Sequence, residues 1–222
     1  MLSKCEYRVV RLDGAYGRGT EWSELATRQD SPKRIQAQAR VSAGGWYRLE
    51  IRWLKESKVT ETAAVEPIGV GEVFVIAGQS YAEGANDAHL RVEDPRGRVV
   101  ALDVAKGTWE IANDPQPAMN NGGTIWPPFG NALLPMVRVP VGLVNVAVGG
   151  TSSRQWLPGT PLYERLKAAG KAAGRFRAVL WQQGESDVIE RVSAETYVAN
   201  IRKIREGLAR DWVFEPSWLL AK

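Results

Sequence analysis

The stretch Val73-Phe74-Val75-Ile76-Ala77-Gly78-Gln79-Ser80 decides the fold, because it is an apolar run that stops at a glycine and then presents a serine. A buried strand that ends in a tight turn lifts the next side chain out of the sheet, and hydrolases on α/β scaffolds expose a nucleophilic hydroxyl in this way. An isolated serine after a strand is more often the N-cap of a helix. Ser80 is therefore a candidate nucleophile whose neighbours must decide its role.

Three further apolar runs, at 141–148, 178–181 and 218–221, share the character of the first. Continuous runs of this kind are typical of parallel strands that are covered on both faces. Helical patterns separate them, the clearest at 193–210 and a shorter one that begins at Pro161. The alternation of strand and helix predicts an α/β fold with a doubly wound parallel sheet and right-handed crossovers.

The N-terminal part of the chain follows a different pattern. Its clearest strand, at 47–53, alternates apolar and charged side chains, which predicts a half-buried strand of an antiparallel sheet. We therefore expect an N-terminal β-rich region at 1–68 and an α/β domain at 69–222. Within that domain, the Gly- and Pro-rich segment 113–135 is predicted to be a long functional loop.

Composition places the chain of 222 residues among ordinary globular proteins, with 44% hydrophobic and 24% charged residues. No apolar run approaches the length that spans a bilayer, and the net charge of +4 is spread without a basic block. We therefore expect no membrane and no nucleic-acid partner. The start of the chain lacks the apolar segment of a secretory signal, but a processed protein would lack it too, so localisation and oligomeric state stay open.

Metal and disulfide chemistry is restricted by the presence of one cysteine, Cys5, and one histidine, His89. A single cysteine forms no intramolecular disulfide, and these two residues cannot make most zinc sites, so the sequence predicts no metal centre. His89 could act as a general base for Ser80. It lies nine positions later in a polar segment, however, and this context favours a surface side chain.

Polar groups and glycines follow three of the predicted strands: Ser80, then Gly149-Gly150-Thr151, then Gln183-Gly184-Glu185. Because ligands of open α/β sheets bind beyond the carboxyl ends of the strands, we expect these groups to converge. Acyl transfer needs a nucleophile, donors for the developing oxyanion and a base. The backbone N–H groups of Ser80 and Gly150 and the Gln183 carboxamide are candidate donors.

For two of these groups, a purely structural role is an alternative to a role in catalysis. Gly149-Gly150 on its own is typical of a plain strand-to-helix turn. Glu185 and Asp187 could form a general acid–base pair, although carboxylates at a loop tip are more often solvated or capping groups. A Gln-Gly-Glu turn directly after a buried strand favours a functional role for the segment.

Three ordered blocks of the chain resemble those of the sialate O-acetylesterase group within the SGNH hydrolase superfamily. The blocks are Gly78-Gln79-Ser80, Gly149-Gly150-Thr151 with Trp156 following, and Trp181-Gln182-Gln183-Gly184-Glu185-Ser186-Asp187. The likeness covers about residues 44–222.

The resemblance implies a flavodoxin-like three-layer α/β/α parallel sheet and a serine carbohydrate O-acetylesterase that needs no cofactor. Its substrates would be acetylated carbohydrates such as sialate or plant polysaccharide, and an acyl-enzyme would form on the serine. Carried over by position, Ser80 is the nucleophile, Gly150 and Gln183 are oxyanion donors, and Glu185 supports the Gln183 loop. Four further residues of the blocks are expected to contact substrate: Gln79, Tyr81, Thr151 and Trp156.

Two positions depart from the family pattern. Tyr81 replaces the Asn that usually follows the nucleophile, and the Asp-x-x-His block expected after the strand that ends near Ala221 is missing from this chain. Without that histidine Ser80 has no proton acceptor, and loss of a triad member costs a serine hydrolase orders of magnitude in rate. The activity of the chain as given is therefore doubtful.

Three explanations for the missing block are open: a truncated sequence, a base supplied by another chain, or a non-catalytic relative that keeps a carbohydrate pocket. Truncation is the simplest, because the missing piece is also the helix expected to close the sheet. A lipase- or thioesterase-like hydrolase on the same sheet is a further alternative.

Overall fold

The structure, a computed structural model, describes residues 4–31 and 34–221. The chain divides into two units, of which the first comprises Met1–Gly71 and Val137–Pro140. The second comprises Glu72–Met136 and Val141–Lys222. The domain boundary expected at residue 68 stays a prediction.

The first unit is built on an antiparallel sheet with the strand order β2-β1-β5-β6. Its strands are β1 (Lys4–Arg11), β2 (Ser23–Glu24), β5 (Gly45–Lys55) and β6 (Lys58–Val70). A separate two-stranded antiparallel sheet pairs β3 (Thr27–Ser31) with β4 (Arg34–Ala37). Tyr47 of β5 is almost fully buried with Val9 and Ala15, whereas Arg8 and Glu50 pair at 2.6 Å on the outer face. The small antiparallel region expected before the α/β domain is confirmed.

The outermost strand of this sheet, β6, has every residue from Lys58 to Pro67 exposed to solvent. Its pairing with β5 keeps one register from Leu49↔Val65 to Trp53↔Glu61, with a register shift at each end of this stretch. An extra residue in one strand bends that strand and raises its local twist.

The second unit contains a six-stranded sheet with the order β12-β11-β7-β10-β8-β9, in which only β9 runs antiparallel to its neighbour. Its strands are β7 (Glu72–Gly78), β8 (Val99–Asp103), β9 (Thr108–Ile111), β10 (Val141–Asn145), β11 (Ala178–Gln182) and β12 (Ser217–Leu220). The four strands predicted from apolar runs are confirmed. β8 and β9 were not predicted, because β8 is a short run behind a polar loop and every side chain of β9 is exposed.

The helices of this unit are α1 (Ser80–Glu83), α2 (Trp126–Val137), α3 (Pro161–Ala173), α4 (Glu185–Ile189) and α5 (Ala194–Trp212), with a 3₁₀ turn at Ser153–Trp156. The two predicted helices are confirmed as α3 and α5, and the Ser193 side chain caps α5 by accepting from the Thr196 N–H. The prediction of a loop through 135 was wrong, because α2 begins at Trp126. Pro127 and Pro128 fit its first turn, where no intrahelical N–H donor is needed.

Helices cover both faces of the sheet, which confirms the three-layer α/β/α fold. On one face α3, α5 and the 3₁₀ turn bury a core that includes Val75, Val144, Val179, Leu166 and Leu208. On the other face the Phe129 ring of α2 meets Phe74 edge-on at 5.4 Å. Among the described residues, no helix combines the length and apolar character needed to cross a membrane.

The central strand is β7, the first strand of this sheet in the chain. After β7 the chain builds β8, β9 and β10 on one side of it and then crosses to β11 and β12 on the other side. In open α/β sheets ligands bind where this direction reverses, at the carboxyl ends of the strands. The carboxyl end of β7 is therefore the expected place for the site.

Packing of α5 against the sheet can be tested with one buried and one exposed position on the same helix. Leu208 is fully buried, whereas Val198 is 54% exposed. We expect Leu208→Ala to lower the free energy of unfolding by about 2–5 kcal/mol, because the substitution leaves a cavity. The control Val198→Ala is expected to change it by about 0.5 kcal/mol or less. Urea denaturation followed by circular dichroism measures both, and equal losses would contradict this packing.

Candidate active site

The ends of β7, β10 and β11 bring the three sequence blocks to one edge of the sheet. The Gln79 N–H donates to the Gln182 carbonyl at 2.8 Å, which joins the first block to the third. A Cβ placed on Gly149 would lie 3.9 Å from the Cα of Ser80, so the second block is adjacent to the first. The convergence expected from the sequence is present in the structure.

The turn before Ser80 requires a glycine. Gly78 has a φ of +127°, and a Cβ at this position would lie 1.8 Å from the Gln182 carbonyl oxygen. Any other residue would be strained there and would separate β7 from β11. Gly78 thus allows the chain to leave the sheet sharply, and Ser80 begins α1 with a partly exposed side chain.

Two backbone N–H groups near the turn are available to a ligand. Among the described residues, neither the N–H nor the hydroxyl of Ser80 has a hydrogen-bond partner, and the Gly150 N–H has none. Gly150 has a φ of +70°, and a Cβ there would meet no atom within 4 Å. The space beside Gly150 is open, as an oxyanion site requires.

Glu83 fixes the loop that carries Gly150, a role that the sequence did not reveal. Its carboxylate is buried, and Oε2 accepts from the Gly149 N–H at 2.9 Å. Glu83 lies three residues after Ser80 on α1, on the same side of that short helix. This spacing is the only sequence signal that could have identified it.

Gln79 joins the start of α4 to the turn that precedes Ser80. Its buried Oε1 accepts from the Gln183 Nε2 at 3.3 Å, from the Ser186 N–H at 3.2 Å and from the Gly184 N–H at 3.4 Å. These three hydrogen bonds hold the Gln79 side chain inside the protein. Its assignment as a substrate-binding residue stays a prediction.

Gln183 lies at the centre of a buried polar network. Its Nε2, which carries two hydrogens, lies within hydrogen-bond distance of three acceptors: Asp187 Oδ2 at 2.5 Å, the Thr151 carbonyl oxygen at 3.0 Å and Gln79 Oε1 at 3.3 Å. Its buried Oε1 has no partner among the described residues. The opposite amide orientation would point the carbonyl oxygen at three acceptors, so the contacts fix this one. The role of Gln183 as an oxyanion donor stays a prediction, and it would require Nε2 to release one acceptor.

Asp187 ties the second block to the third. Its buried carboxylate accepts from the Ser153 N–H at 2.7 Å and from the Ser153 hydroxyl at 2.5 Å, in addition to Gln183. The Asn200 side chain of α5 donates to the same hydroxyl at 2.9 Å. Ser153 and Asn200 belong to no motif, so only the structure could place them here.

Glu185 does not form a pair with Asp187 in this network. Its Oε1 accepts from the Gln182 Nε2 at 2.9 Å, and the Gln182 Oε1 accepts from the Ala82 N–H at 3.2 Å. Glu185 therefore supports the β11 end through Gln182. Its predicted support of the Gln183 loop is not tested by a direct contact and stays a prediction.

The remaining candidate residues lie in different surroundings. Tyr81 is 53% exposed, whereas Thr151 is buried and Trp156 is fully buried with its Nε1 donating to the Thr151 hydroxyl at 3.0 Å. A sugar could reach the Trp156 ring only after a rearrangement, and the substrate contacts of all three stay predictions. His89 is exposed, and its Nε2 lies 2.8 Å from the Asn121 carbonyl oxygen.

One tyrosine contacts the backbone of the third block. The Tyr197 hydroxyl donates to the Gln183 carbonyl at 3.1 Å and accepts from the Trp181 Nε1 at 3.1 Å. Burial raises the pKa of Tyr197, and the nearby Asp187 and Glu185 charges add to this, while the Trp181 donor opposes it. The hydroxyl is therefore protonated at neutral pH and remains a donor. Within the described part of the chain, no group of three His, Cys, Asp or Glu side chains could hold a metal ion.

Comparisons with known proteins identify similar chains. A profile of the family described as "carbohydrate esterase, sialic acid-specific acetylesterase" matches residues 70–216. A probable carbohydrate esterase of Arabidopsis thaliana is 32% identical over 171 residues, covering 65% of this chain and 65% of that protein. The chain thus spans just under two thirds of the length of this relative.

Two solved structures are similar in fold. The crystal structure of the same Arabidopsis protein matches 67% of this chain and 72% of its own, at 26% identity and a TM-score of 0.56. A carbohydrate acetylesterase from Xanthomonas citri matches 98% of this chain and 53% of its own, at 16% identity and a TM-score of 0.60.

The network around Asp187 gives a prediction for stability. Asp187→Ala is expected to lower the free energy of unfolding by about 2–4 kcal/mol, because it leaves the buried donors of Ser153 and Gln183 without their acceptor. The control Glu206→Ala, at an exposed position of α5, is expected to change it by about 0.5 kcal/mol or less. Chemical denaturation measures both variants. A loss at Asp187 no larger than that at Glu206 would show that the network contributes nothing to stability.

Proposed function

This chain belongs to the carbohydrate esterase family of the sialic acid-specific acetylesterases, and on that premise we propose that it is a serine carbohydrate O-acetylesterase. The observation that carries the proposal is the group of atoms at the end of β7. The Ser80 hydroxyl, the Ser80 N–H and the Gly150 N–H lie on adjacent loops and have no hydrogen-bond partner among the described residues. A nucleophile beside two unpaired donors is the arrangement that acyl transfer needs.

The reaction would take place in two steps. The Ser80 oxygen attacks the carbon of an acetyl carbonyl while a base accepts the hydroxyl proton, and the Ser80 and Gly150 N–H groups donate to the carbonyl oxygen as it becomes an oxyanion. The intermediate collapses, the C–O bond to the sugar breaks, and the base returns its proton to the sugar oxygen. Water then attacks acetyl-Ser80 in the same way and releases acetate.

Among the described residues, no side chain accepts a hydrogen bond from the Ser80 hydroxyl, as a general base would. The lone His89 is exposed, and its ring contacts the Asn121 carbonyl oxygen. We therefore propose a histidine from an Asp-x-x-His block outside these residues, as the family resemblance implies. The Asp would orient the imidazole and stabilise its protonated form.

The substrate would be an acetylated carbohydrate. Support comes from the family itself and from the Xanthomonas structural neighbour, whose fold is similar and which is a carbohydrate acetylesterase. An acetyl ester would have room at this edge of the sheet. Ser80 is partly exposed, Tyr81 is exposed, and the space beside Gly150 is open.

Chemical rescue tests the nucleophile without the proposed histidine block. With residues 1–222 and millimolar imidazole as an external base, we expect release of acetate from an acetylated xylo-oligosaccharide. Ser80→Ala is expected to reduce this rate to that of imidazole alone, because no acyl-enzyme can form. The control Ser217→Ala changes an exposed serine of β12 and is expected to keep the full rate. Acetate is measured with a coupled enzymatic assay.

The outcomes separate the proposal from its rivals. Turnover that survives Ser80→Ala would exclude Ser80 as the nucleophile. Binding of the acetylated sugar without any rescued turnover would favour a non-catalytic carbohydrate-binding protein. Faster cleavage of long-chain acyl esters than of acetyl esters would favour the lipase-like hydrolase.

Gly150 provides a second prediction with a matched control. Both Gly150 (φ +70°) and Gly174 (φ +73°) have positive φ, and a Cβ at either would meet no atom within 4 Å. Substitution by Ala therefore costs similar backbone strain at the two positions, but only Gly150→Ala disturbs a proposed oxyanion donor. We expect Gly150→Ala to lower the rescued kcat/KM about 10- to 100-fold and Gly174→Ala to lower it less than about twofold. Equal activity of the two variants would exclude Gly150 from the oxyanion site.

A further inference from the structure

The helix that begins at Ser80 is too short to be stable by itself. It comprises only Ser80–Glu83, and isolated helices of fewer than about 12 residues are marginal in water. The N–H that would bond to the Ala82 carbonyl in a longer helix is that of Asn86, which donates instead to the Gly123 carbonyl at 3.1 Å. The position of Ser80 therefore depends on contacts between α1 and other elements.

Two buried side chains make such contacts at one atom. The Ala82 carbonyl oxygen accepts from the Trp126 Nε1 at 2.7 Å and from the Asn145 Nδ2 at 2.8 Å. A carbonyl oxygen has two lone pairs, so these donors use both of its acceptor positions. Ala82 is fully buried, and Trp126 and Asn145 are 4% and 1% exposed. We call these three residues the Ala82 clamp.

The clamp joins α1 to two elements that are distant in sequence. Trp126 is the first residue of α2, and Asn145 is the last residue of β10. Water cannot easily replace either donor at a buried carbonyl, and a buried acceptor without a donor costs free energy. The clamp thus favours one placement of α1 between the start of α2 and the end of β10.

Asn145 also contacts the segment that carries Gly150. Its Oδ1 accepts from the Ala147 N–H at 3.1 Å, while its Nδ2 donates to Ala82. The opposite amide orientation would set the Asn145 oxygen against the Ala82 carbonyl oxygen, so the two contacts fix this one. A single buried side chain therefore connects the helix of Ser80 to the loop of Gly150.

The proposed acyl transfer depends on the relative position of these two elements. The developing oxyanion must reach the Ser80 and Gly150 N–H groups together while the Ser80 oxygen is bonded to its carbon. Such groups have to be held within about 0.5 Å of the productive geometry. A misplacement of about 1 Å can lower a rate by about 100-fold.

From this geometry we propose that Asn145 and Trp126 are positioning residues for the acyl transfer. Both act through the Ala82 carbonyl and set the place of Ser80 relative to Gly150. This inference rests on the proposed function and deepens it by adding two residues that belong to none of the three sequence blocks.

Two substitutions remove the donors of the clamp and keep similar side-chain size. Asn145→Leu removes both hydrogen bonds of the amide, and Trp126→Phe removes the Nε1 donor. In the imidazole rescue assay with acetylated xylo-oligosaccharide, we expect Asn145→Leu to lower kcat about 10- to 100-fold. We expect Trp126→Phe to lower kcat about three- to tenfold, because Ala82 keeps one donor. Neither residue is proposed to bind the sugar, so KM is expected to change less than about threefold.

Leu208→Ala is the control for an effect of stability alone. It removes packing from the α5 core of the same unit and leaves the clamp intact. Circular dichroism identifies a temperature at which every variant is folded. At that temperature we expect Leu208→Ala to keep kcat within about twofold, because a folded two-state protein retains its native site.

The double variant tests whether the two residues act at one atom. Asn145→Leu with Trp126→Phe leaves the Ala82 carbonyl without either donor, whereas each single variant leaves it with one. We therefore expect the loss of kcat in the double variant to differ from the product of the single losses by about threefold or more. Independent effects would multiply.

The outcomes separate this inference from the proposed function. A kcat of Asn145→Leu within about twofold of the unchanged chain, or an equal loss in Leu208→Ala, would overturn the inference. If Asn145→Leu does not fold, Trp126→Phe decides by the same comparison. If the unchanged chain shows no rescued turnover, the proposed function fails, and crystal structures of the unchanged chain and a folded clamp variant decide the inference. A shift of Ser80 relative to Gly150 of more than about 0.5 Å would support it, and an unchanged placement would overturn it.

Discussion

The close approach of β7 and β11 at Gly78 is the constraint on which the site depends. With a φ of +127° and no side chain, Gly78 lets the chain turn directly beside the Gln182 carbonyl. That turn places Gln79 inward, where it holds the start of α4, and Ser80 outward at the head of α1. One backbone position thus sets both the framework of the site and its proposed nucleophile.

Around this turn the protein uses side-chain hydrogen bonds instead of ion pairs to fix its loops. Glu83 holds Gly149, and Asp187 holds Ser153 and Gln183, with no cationic partner for either among the described residues. Buried carboxylates need such hydrogen bonds, because the donors replace the water that is lost on burial. The loops that carry Gly149 and Ser153 are therefore positioned by hydrogen bonds to two buried carboxylates.

The sequence predicted much of the fold, because its buried strands are continuous apolar runs and its two long helices have clear caps. β9 could not be predicted, since all its side chains are exposed, and α2 was mistaken for a loop because Pro127 and Pro128 suggest irregular structure. The site blocks were visible as glycines and polar residues after strands. The contacts of Ser153 and Asn200 were not, since they depend on which loops the topology brings together.

The register shifts of β6 have a consequence for the behaviour of the protein in concentrated solution. A long exposed strand at the border of a sheet can recruit strands from neighbouring molecules and start fibril growth. The register shifts at both ends leave five residues in one register between them, from Glu61 to Val65. The irregular register and the charged side chains of the strand, such as Glu61, make its free border a poorer partner for an incoming strand, and this limits misassembly without covering the strand.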